Sequence, residues 1–455
     1  PAEQPHWSLQ DARHSAIVYK PSSFANAAGP IITDPRSGEI LETHINWYHN
    51  LMSIMHDWYM IQCGATDPRA QKMKFDDALM GELIRSVCAH EVGHSLGLTH
   101  NFGSSSMVPV EKLRDREWLE VNGHTPSIMD YSRFNYVAQP EDSVGQRGLI
   151  SRIGEYDLWA IQYGYRLIPV TTEEREIPFL NGWIMEKLKD NQYWFGSEFS
   201  TDDPRVQTED LGDNAMKAST YGIKNLQRIV PRLIHWTYEP NEGYRNLRQI
   251  YSGVLNQYHY YLGHVITYIG GTYQTTKTAE QIGPVYSAVP ANLQRDAVRF
   301  LAENIFQTPN WLLDTAVLSR TGQSPEQIIN DSQHMVLNNI LSNNTLNKVS
   351  QSEAMYGLKA YRLVDFMDDL DNTMWTELST FSTISIYRRN LQRYYVDRLV
   401  ELSSPKSGWD TRDVGPVTRN KLAEIRQRIE KALPRMKDAM TVYHLRYILE
   451  KLPKP

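Results

Sequence analysis

The chain has 455 residues, of which 41% are hydrophobic and 22% charged, and its formal net charge is −6. This composition is typical of globular proteins and excludes disordered and fibrous classes, while the length favours two or three domains. No long Lys/Arg run is present, so nucleic acid is not an expected partner. No apolar stretch approaches the roughly 18 residues that a membrane-spanning helix needs.

The chain has two cysteines, Cys63 and Cys88, which is too few for a disulfide framework or a cysteine-rich zinc ribbon. We predict that Cys88 is a small buried apolar residue on a helix, in preference to a disulfide with Cys63. Because the chain begins at Pro1 rather than at a methionine, we expect it to be a processed or truncated piece of a longer precursor, so that any export signal would lie upstream.

The N-terminal part of the chain is predicted to be extended. Residues 15–19 are rich in β-forming side chains, and turn chemistry at 29–30 and 34–38 separates the short runs 31–33 and 39–45. The simplest interpretation is a hairpin.

Helical patterns follow this extended part. Residues 47–62 are apolar and aromatic, and Asp76 or Asp77 can cap a second helix. The apolar positions of that second helix are Leu79, Leu83, Ile84, Val87, Val92 and Leu96. From 103 to about 151 no sustained periodicity appears, which predicts loops, and a further helix is predicted at about 154–163.

Beyond this helix, the chain as far as residue 220 is predicted to be irregular and locally acidic. The acidic positions are Asp202, Asp203, Glu209, Asp210 and Asp213. Their spacing does not match the Asp/Gly/Glu pattern of an EF-hand, so we prefer a solvated loop to a calcium site.

From 221 to the C-terminus the chain is predicted to be mostly helical. Apolar residues recur at the helical interval from Leu247 to Ile269, where Gly270 and Gly271 stop them. Similar stripes occupy 293–306, 328–341, 356–370, 386–402 and 422–449. No fixed-period repeat is present, so an irregular helical domain is preferred to a solenoid.

The second helix carries a group of residues that can bind a metal. His90 and His94 lie four positions apart on one helical face, so both imidazoles can reach one zinc ion. Glu91 lies one residue further round, where a general base for hydrolysis is needed. Gly97 can end the helix in a left-handed conformation and bring His100 back as the third ligand. Three protein ligands and one open position are typical of a catalytic zinc.

The order His-Glu-x-x-His-x-x-Gly-x-x-His is the metzincin pattern. That pattern predicts a tight turn bearing a methionine downstream, and Met129 follows His100 by 29 residues. We predict that Met129 forms an apolar floor beneath the histidines; core filling is the alternative. Tyr131 is predicted to ligate the metal or to donate a hydrogen bond to an oxyanion, and a packed aromatic role stays equally open.

Other segments extend this resemblance. Residues 157–164 are similar to the closing helix of matrix-metalloprotease catalytic domains. Together with the two motifs, the runs 33–40, 99–102 and 153–157 resemble a family of large bacterial zinc-dependent metalloproteases called Met-zincins. The resemblance covers about 13–165 and is looser beyond. It implies a bacterial protein with an extracytoplasmic location: periplasmic, cell-surface or secreted.

The fold class that we predict is α+β. A metzincin-like catalytic domain with a small twisted sheet, an active-site helix and a Met-turn is expected at 1–165, an irregular connection at 166–220 and a mostly α-helical domain at 221–455. Metzincin domains have more structure before the active-site helix than this chain provides, so we expect the first strands upstream. By analogy, 38–45 lies near the edge strand that pairs with an extended peptide, or is purely structural.

The predicted activity is that of a zinc-dependent endopeptidase acting on peptides or proteins, with Glu91 as base. Two alternatives stay open: a zinc-containing binding or assembly module without turnover, suggested by the large helical part, and a zinc hydrolase acting on non-peptide amides. Four other histidines near the motif lack its spacing and are not preferred as ligands: His44, His49, His56 and His124. No oligomeric state is predicted.

Overall fold

The computed structural model describes residues 7–9, 11–170, 172–200, 202–404 and 413–453. Pro1, on which the expectation of a longer precursor rests, lies outside them. The first part of the chain forms a small sheet. Its strands are β1 (Ala16–Lys20), β2 (Ala27–Ala28), β3 (Ile31–Thr33) and β4 (Ile40–Tyr48).

Strand β4 lies inside this sheet. It pairs with β1 in parallel on one side and with β2 and β3 in antiparallel fashion on the other. The predicted hairpin is therefore present as β3–β4. The segment 38–45 does lie next to an edge of the sheet, because β4 pairs directly with β2 and β3, which form that edge. It is not itself an edge strand, since β4 has neighbours on both sides.

Two helices follow: α1 (Leu51–Cys63) and α2 (Asp77–Ser95). The prediction of helix from residue 47 is wrong, since β4 continues to Tyr48 with Ile45 and Trp47 buried at the alternate spacing of a strand. Asp76 caps α2 as expected, because its side chain accepts a hydrogen bond from the backbone N–H of Leu79 at 2.9 Å.

The apolar stripe predicted for α2 is only partly buried. Leu79 and Leu83 are in the core, whereas Val92 and Leu96 are 39% and 43% exposed. Val92 lies nine residues after Leu83, which at about 100° per residue places it on the opposite side of the helix. The face that points inward is occupied there by His90 and Gly93.

The middle of the chain is largely irregular, as predicted, with the short helices α3 (Arg116–Asn122) and α4 (Gln146–Leu149). Helix α5 (Glu155–Tyr165) forms where it is expected. The prediction of an irregular 164–220 is wrong, because α6 (Glu173–Lys187) and the start of α7 (Ala215–Ile229) lie there. Pro178 and Gly182 inside α6 interrupt its helical pattern.

The expectation of a solvated acidic loop is also wrong for three of its residues. Asp203, Glu209 and Asp210 are 2%, 3% and 4% exposed. Glu209 forms an ion pair with Arg133 at 2.7 Å. These three acidic residues are therefore buried rather than hydrated, and Arg133, the partner of Glu209, lies 76 residues away in the sequence.

The rest of the chain is helical. It consists of α8 (Leu233–Trp236), α9 (Arg245–Ile266), α10 (Ala291–Leu301), α11 (Thr315–Thr321), α12 (Pro325–Ile340), α13 (Asn343–Tyr356), α14 (Leu363–Met374), α15 (Thr376–Thr380), α16 (Ile386–Ser403), α17 (Val414–Ala432) and α18 (Ala439–Lys451), with a two-stranded ribbon of β5 (Thr272–Gln274) and β6 (Tyr286–Ala288). A mostly helical chain with a small sheet is consistent with the α+β prediction. No helix in the described residues is long and apolar enough to span a bilayer.

The chain divides into two compact units. The first comprises Pro1–Thr201, Arg205–Tyr261 and Thr276–Gly283, and the second comprises Asp202–Pro204, Leu262–Thr275 and Pro284–Pro455. The domain limits predicted from the sequence, 1–165, 166–220 and 221–455, stay a prediction.

The apolar core of the second unit contains a buried ion pair. Helix α16 packs there against α12, α17 and α18. Arg388 of α16 contacts Glu377 at 2.6 Å and donates to the carbonyl oxygens of Phe306 and Met374, so its buried guanidinium is hydrogen-bonded throughout.

The two cysteines are not bonded to each other. Cys63 is buried, while Cys88 is half-buried, so its predicted full burial is not reached. Cys63 lies at the end of α1, and burial raises the pKa of its thiol. A buried thiol of this kind behaves as an inert apolar side chain.

Two buried carboxyl groups lie close together in the first unit. Asp130 and Asp210 each have one oxygen, Oδ1, without a hydrogen-bond partner within the described residues. Burial raises the pKa of Asp130 to about 7 and that of Asp210 well above its usual range, and each carboxylate disfavours the ionisation of its neighbours. Both groups therefore favour the protonated form in the folded protein.

This burial predicts a pH dependence of stability. An acid whose folded pKa is raised loses stability as pH rises from its unfolded pKa, about 4, to its folded pKa, about 7. We expect the free energy of unfolding of the wild type, relative to Asp130→Asn, to fall by about 1 kcal/mol per pH unit between pH 5 and pH 7 and to level off above that. Urea denaturation at several pH values measures it; a constant difference would show that Asp130 is ionised throughout.

Candidate metal centre

Three histidines meet at the end of α2. His90 and His94 lie one helical turn apart, with ring centroids 4.7 Å from each other. The helix then ends at Gly97, whose φ of +85° is the left-handed conformation that glycine adopts without strain. The chain reverses there, with the N–H of Leu98 bonded to the carbonyl of Gly93 at 3.0 Å, and this reversal returns His100 to the other two rings.

The Nε2 atoms of the three rings point at a common position. The Nε2 atoms of His94 and His100 lie 3.1 Å apart, and the candidate ligand atoms of the three residues all lie within 4.8 Å of one another. The Nε2 atom of His90 is buried without a hydrogen-bond partner among the described residues. Among the described residues, His90, His94 and His100 are the one group of three or more His, Cys, Asp or Glu side chains close enough together to hold a metal ion.

The other nitrogen of each ring, Nδ1, is hydrogen-bonded to an acceptor. These acceptors are the carbonyl oxygen of Ile128 for His90 (2.8 Å), the carbonyl oxygen of Leu98 for His94 (2.9 Å) and Oε2 of Glu198 for His100 (2.9 Å). An acceptor at Nδ1 fixes the proton there and leaves the lone pair on Nε2. Burial lowers the pKa of His90 to about 4 and lowers that of His94, which keeps both rings neutral. Neutral imidazoles with convergent Nε2 atoms are the donor set that zinc prefers.

Glu91 follows His90 directly on α2 and is 6% exposed. Burial raises its pKa to about 7, and the backbone N–H of Gly29 works against this rise by bonding to the carboxylate. A Cβ atom at position 29 would come within 2.7 Å of the carbonyl oxygen of Glu91. Glycine is therefore required at this point, because only a backbone without a side chain can approach α2 so closely.

Met129 packs directly against α2. It is fully buried, and a Cβ atom built on Gly93 would lie 2.3 Å from its sulfur. The thioether thus fills the space that Gly93 leaves open one residue before His94. The apolar floor beneath the histidines stays a prediction, with core filling as its alternative.

The Met129 turn is held by α5. The side chain of Asp157 accepts hydrogen bonds from Oγ of Ser127 (2.6 Å), from the backbone N–H of Ile128 (2.8 Å) and from that of Gly154 (2.8 Å). Because Ile128 supplies the acceptor for His90, Asp157 also fixes the position of that carbonyl group.

Tyr131 lies next to the histidines. Its ring centroid is 5.3 Å from that of His90 and 4.7 Å from that of His100, and 36% of the residue is exposed. This position suits a packed aromatic as well as a tyrosine whose hydroxyl reaches a metal or a substrate. Both alternatives stay open.

The four histidines that the sequence does not favour lie outside the triad. Their contacts are Glu42 for His44, Tyr19 for His49, the Lys72 carbonyl for His56 and Ser151 for His124. Sequence patterns do not indicate two residues of the site. The sequence predicts only a turn at Gly29, which precedes Pro30. Glu198 carries no motif and follows His100 by 98 residues, so no spacing could indicate it.

The contact of Gly93 with Met129 predicts the effect of a methyl group. Gly93→Ala should destabilise the protein by about 1–3 kcal/mol and weaken metal binding, because the added Cβ displaces the Met129 sulfur. The control is Gly81→Ala on the same helix, where a Cβ meets nothing within 4 Å and should raise stability by up to about 1 kcal/mol. Thermal unfolding and zinc titration measure both; equal behaviour of the two variants would contradict this packing.

Comparison with known proteins is consistent with this geometry. The family model described as Met-zincin matches residues 72–381, a segment that contains α2, His100, Met129 and Glu198. No match was found among curated proteins or among solved structures. Because the matched segment is more than half of the chain, the chain belongs to the Met-zincin family.

Proposed function

We propose that this protein is a zinc-dependent endopeptidase. The observation that carries the proposal is the position of Glu91, a buried carboxyl group that follows His90 directly in the chain. Its Oε2 atom and Cβ of His94 both lie within 3.4 Å of a Cβ atom built on Gly29, so the carboxylate is on the side of α2 that carries a ligand histidine. A site that only held a structural metal would need no acid or base at this point. Membership of the Met-zincin family supports the same activity.

A zinc ion held by His90, His94 and His100 would supply Lewis acidity, which activates water and polarises a scissile carbonyl. Glu91 would accept the proton of the attacking water and deliver it to the leaving amine. Its Oε2 atom has no hydrogen-bond partner within the described residues and is available for this proton. A pKa of about 7 suits a group that must both accept and release a proton near neutral pH.

The sheet edge formed by residues 27–33 is the proposed substrate-binding strand. This edge lies directly beside 38–45, because β2 and β3 both pair with β4, which is internal. The edge passes next to Glu91 at Gly29. An extended peptide that adds to this edge by main-chain hydrogen bonds would therefore place a peptide group near the base.

The activity can be tested on the purified chain with a mixed peptide library and mass spectrometry. We expect cleavage that a chelator abolishes and Zn²⁺ restores. Glu91→Gln should keep zinc and lower turnover by at least about 100-fold, because the proton acceptor is lost. The matched control is Glu82→Gln on the same helix, whose side chain pairs with Arg85 and should leave turnover unchanged.

Three results would contradict the endopeptidase proposal. Full activity of Glu91→Gln would remove Glu91 from the reaction. Zinc binding without cleavage of any peptide would favour a binding module, and cleavage confined to a parallel library of non-peptide amides would favour an amidohydrolase. An extracytoplasmic location remains a separate proposal, which rests on the family resemblance alone.

A further inference from the structure

We propose that Glu198 is a positioning residue for the metal site and that it orients the ring of His100. The segment that carries Glu198 is held in place by Asn101, the residue that follows His100. This inference rests on the proposed zinc function of the three histidines. It concerns a carboxylate that contacts none of the reacting atoms and acts through the ring of His100.

The contact itself is direct. Oε2 of Glu198 lies 2.9 Å from Nδ1 of His100. The Nδ1 atoms of the other two histidines are bonded to backbone carbonyl groups. Of the three rings, His100 is therefore the one whose Nδ1 atom is bonded to a side chain, and that side chain is a carboxylate. A carboxylate at Nδ1 fixes the tautomer and strengthens Nε2 as a donor to a metal.

The segment that carries Glu198 is held in place by hydrogen bonds to Asn101. Asn101, which is fully buried, donates from Nδ2 to the carbonyl of Trp194 (3.0 Å) and accepts at Oδ1 from the N–H of Gly196 (2.8 Å). Asn101 also forms a β-bridge with Ser197. The residue immediately after His100 therefore holds three of the four residues that precede Glu198, and ligand and carboxylate are positioned together.

The two backbones are in close contact at this point. A Cβ atom on Gly196 would lie 2.6 Å from the Cα of Gly103, and one on Gly103 would lie 2.3 Å from the ring of Trp194. Neither position can carry a larger residue without a shift. This packing distinguishes Glu198 from a mobile surface glutamate, although 35% of its side chain is exposed.

The test is a zinc dissociation constant, measured by competition with a chelator, for the full chain and three variants. Glu198→Ala removes the acceptor and should weaken zinc binding by about 10- to 100-fold. Glu198→Gln keeps an oxygen acceptor and should recover most of that loss. The control is Glu186→Ala, an exposed glutamate whose recorded partner is Lys189, which should bind zinc like the wild type.

A second measurement separates positioning from a general loss of structure. Visible absorption of the Co²⁺-loaded proteins reports the geometry of the ligands, and we expect Glu198→Ala to change the band positions while its metal-free thermal unfolding stays that of the wild type. Unchanged zinc affinity and Co²⁺ spectrum in Glu198→Ala would overturn the proposal. An effect confined to KM for lysine- or arginine-containing peptides would overturn it too, since Glu198 would then recognise substrate.

The zinc dissociation constant and the Co²⁺ spectrum can both be measured without catalysis. Weaker zinc binding in Glu198→Ala, with no peptidase activity in the wild type, would support the positioning role and refute the proposed function. The reverse pattern, an active peptidase with an unchanged zinc constant in Glu198→Ala, would refute the positioning role alone.

Discussion

The orientation of three imidazole rings through their Nδ1 atoms is the interaction on which the candidate site depends. A helix places His90 and His94 on one face but does not decide which nitrogen of each ring is the donor to a metal. That choice comes from acceptors on three other segments: the carbonyl of Ile128 in the Met129 turn, the carbonyl of Leu98 after the helix end, and Glu198. The donor set is therefore a property of the tertiary fold and not of α2.

The Met129 turn links this constraint to the rest of the first unit. Asp157 at the start of α5 accepts three hydrogen bonds and holds Ser127 and Ile128 in place. The same turn places the Met129 sulfur in the space beneath Gly93. A movement of α5 would thus alter both the acceptor for His90 and the packing of Met129 against α2. Helix α5, which begins some 50 residues after His100, is thus physically connected with the three histidines through Asp157.

Sequence reasoning succeeded where the determinants are local. The Asp76 cap, the end of α2 at Gly97 and the helix that starts at Glu155 all depend on residues within a turn or two of each other. The three histidines and Met129 were found because their spacing is nearly fixed by one helix and one turn. The site could be predicted to that extent from the sequence.

The features that the sequence does not predict depend on contacts between residues that are far apart in the chain. The sequence predicts a solvated Glu209 because its partner, Arg133, is 76 residues away. No short-range pattern connects Glu198 with His100. The internal position of β4 depends on β1, whose parallel pairing requires a connection that a local pattern does not reveal. In each case the deciding contact joins segments that are close only after folding.

The buried polar atoms around the histidines show where the fold departs from optimal stability. Nε2 of His90 and Oε2 of Glu91 are buried without hydrogen-bond partners within the described residues. A buried polar group in this state costs about 1–3 kcal/mol, so the two together are a substantial fraction of the stability of a typical domain. Replacement by apolar residues would remove that cost and also remove the donor and the base. Buried polar atoms without hydrogen-bond partners are rare in proteins, and functional sites are where they are expected. Since a ligand that binds only the folded state stabilises it, a metal bound at His90 would recover part of the cost, and the stability of the first unit should be linked to metal concentration.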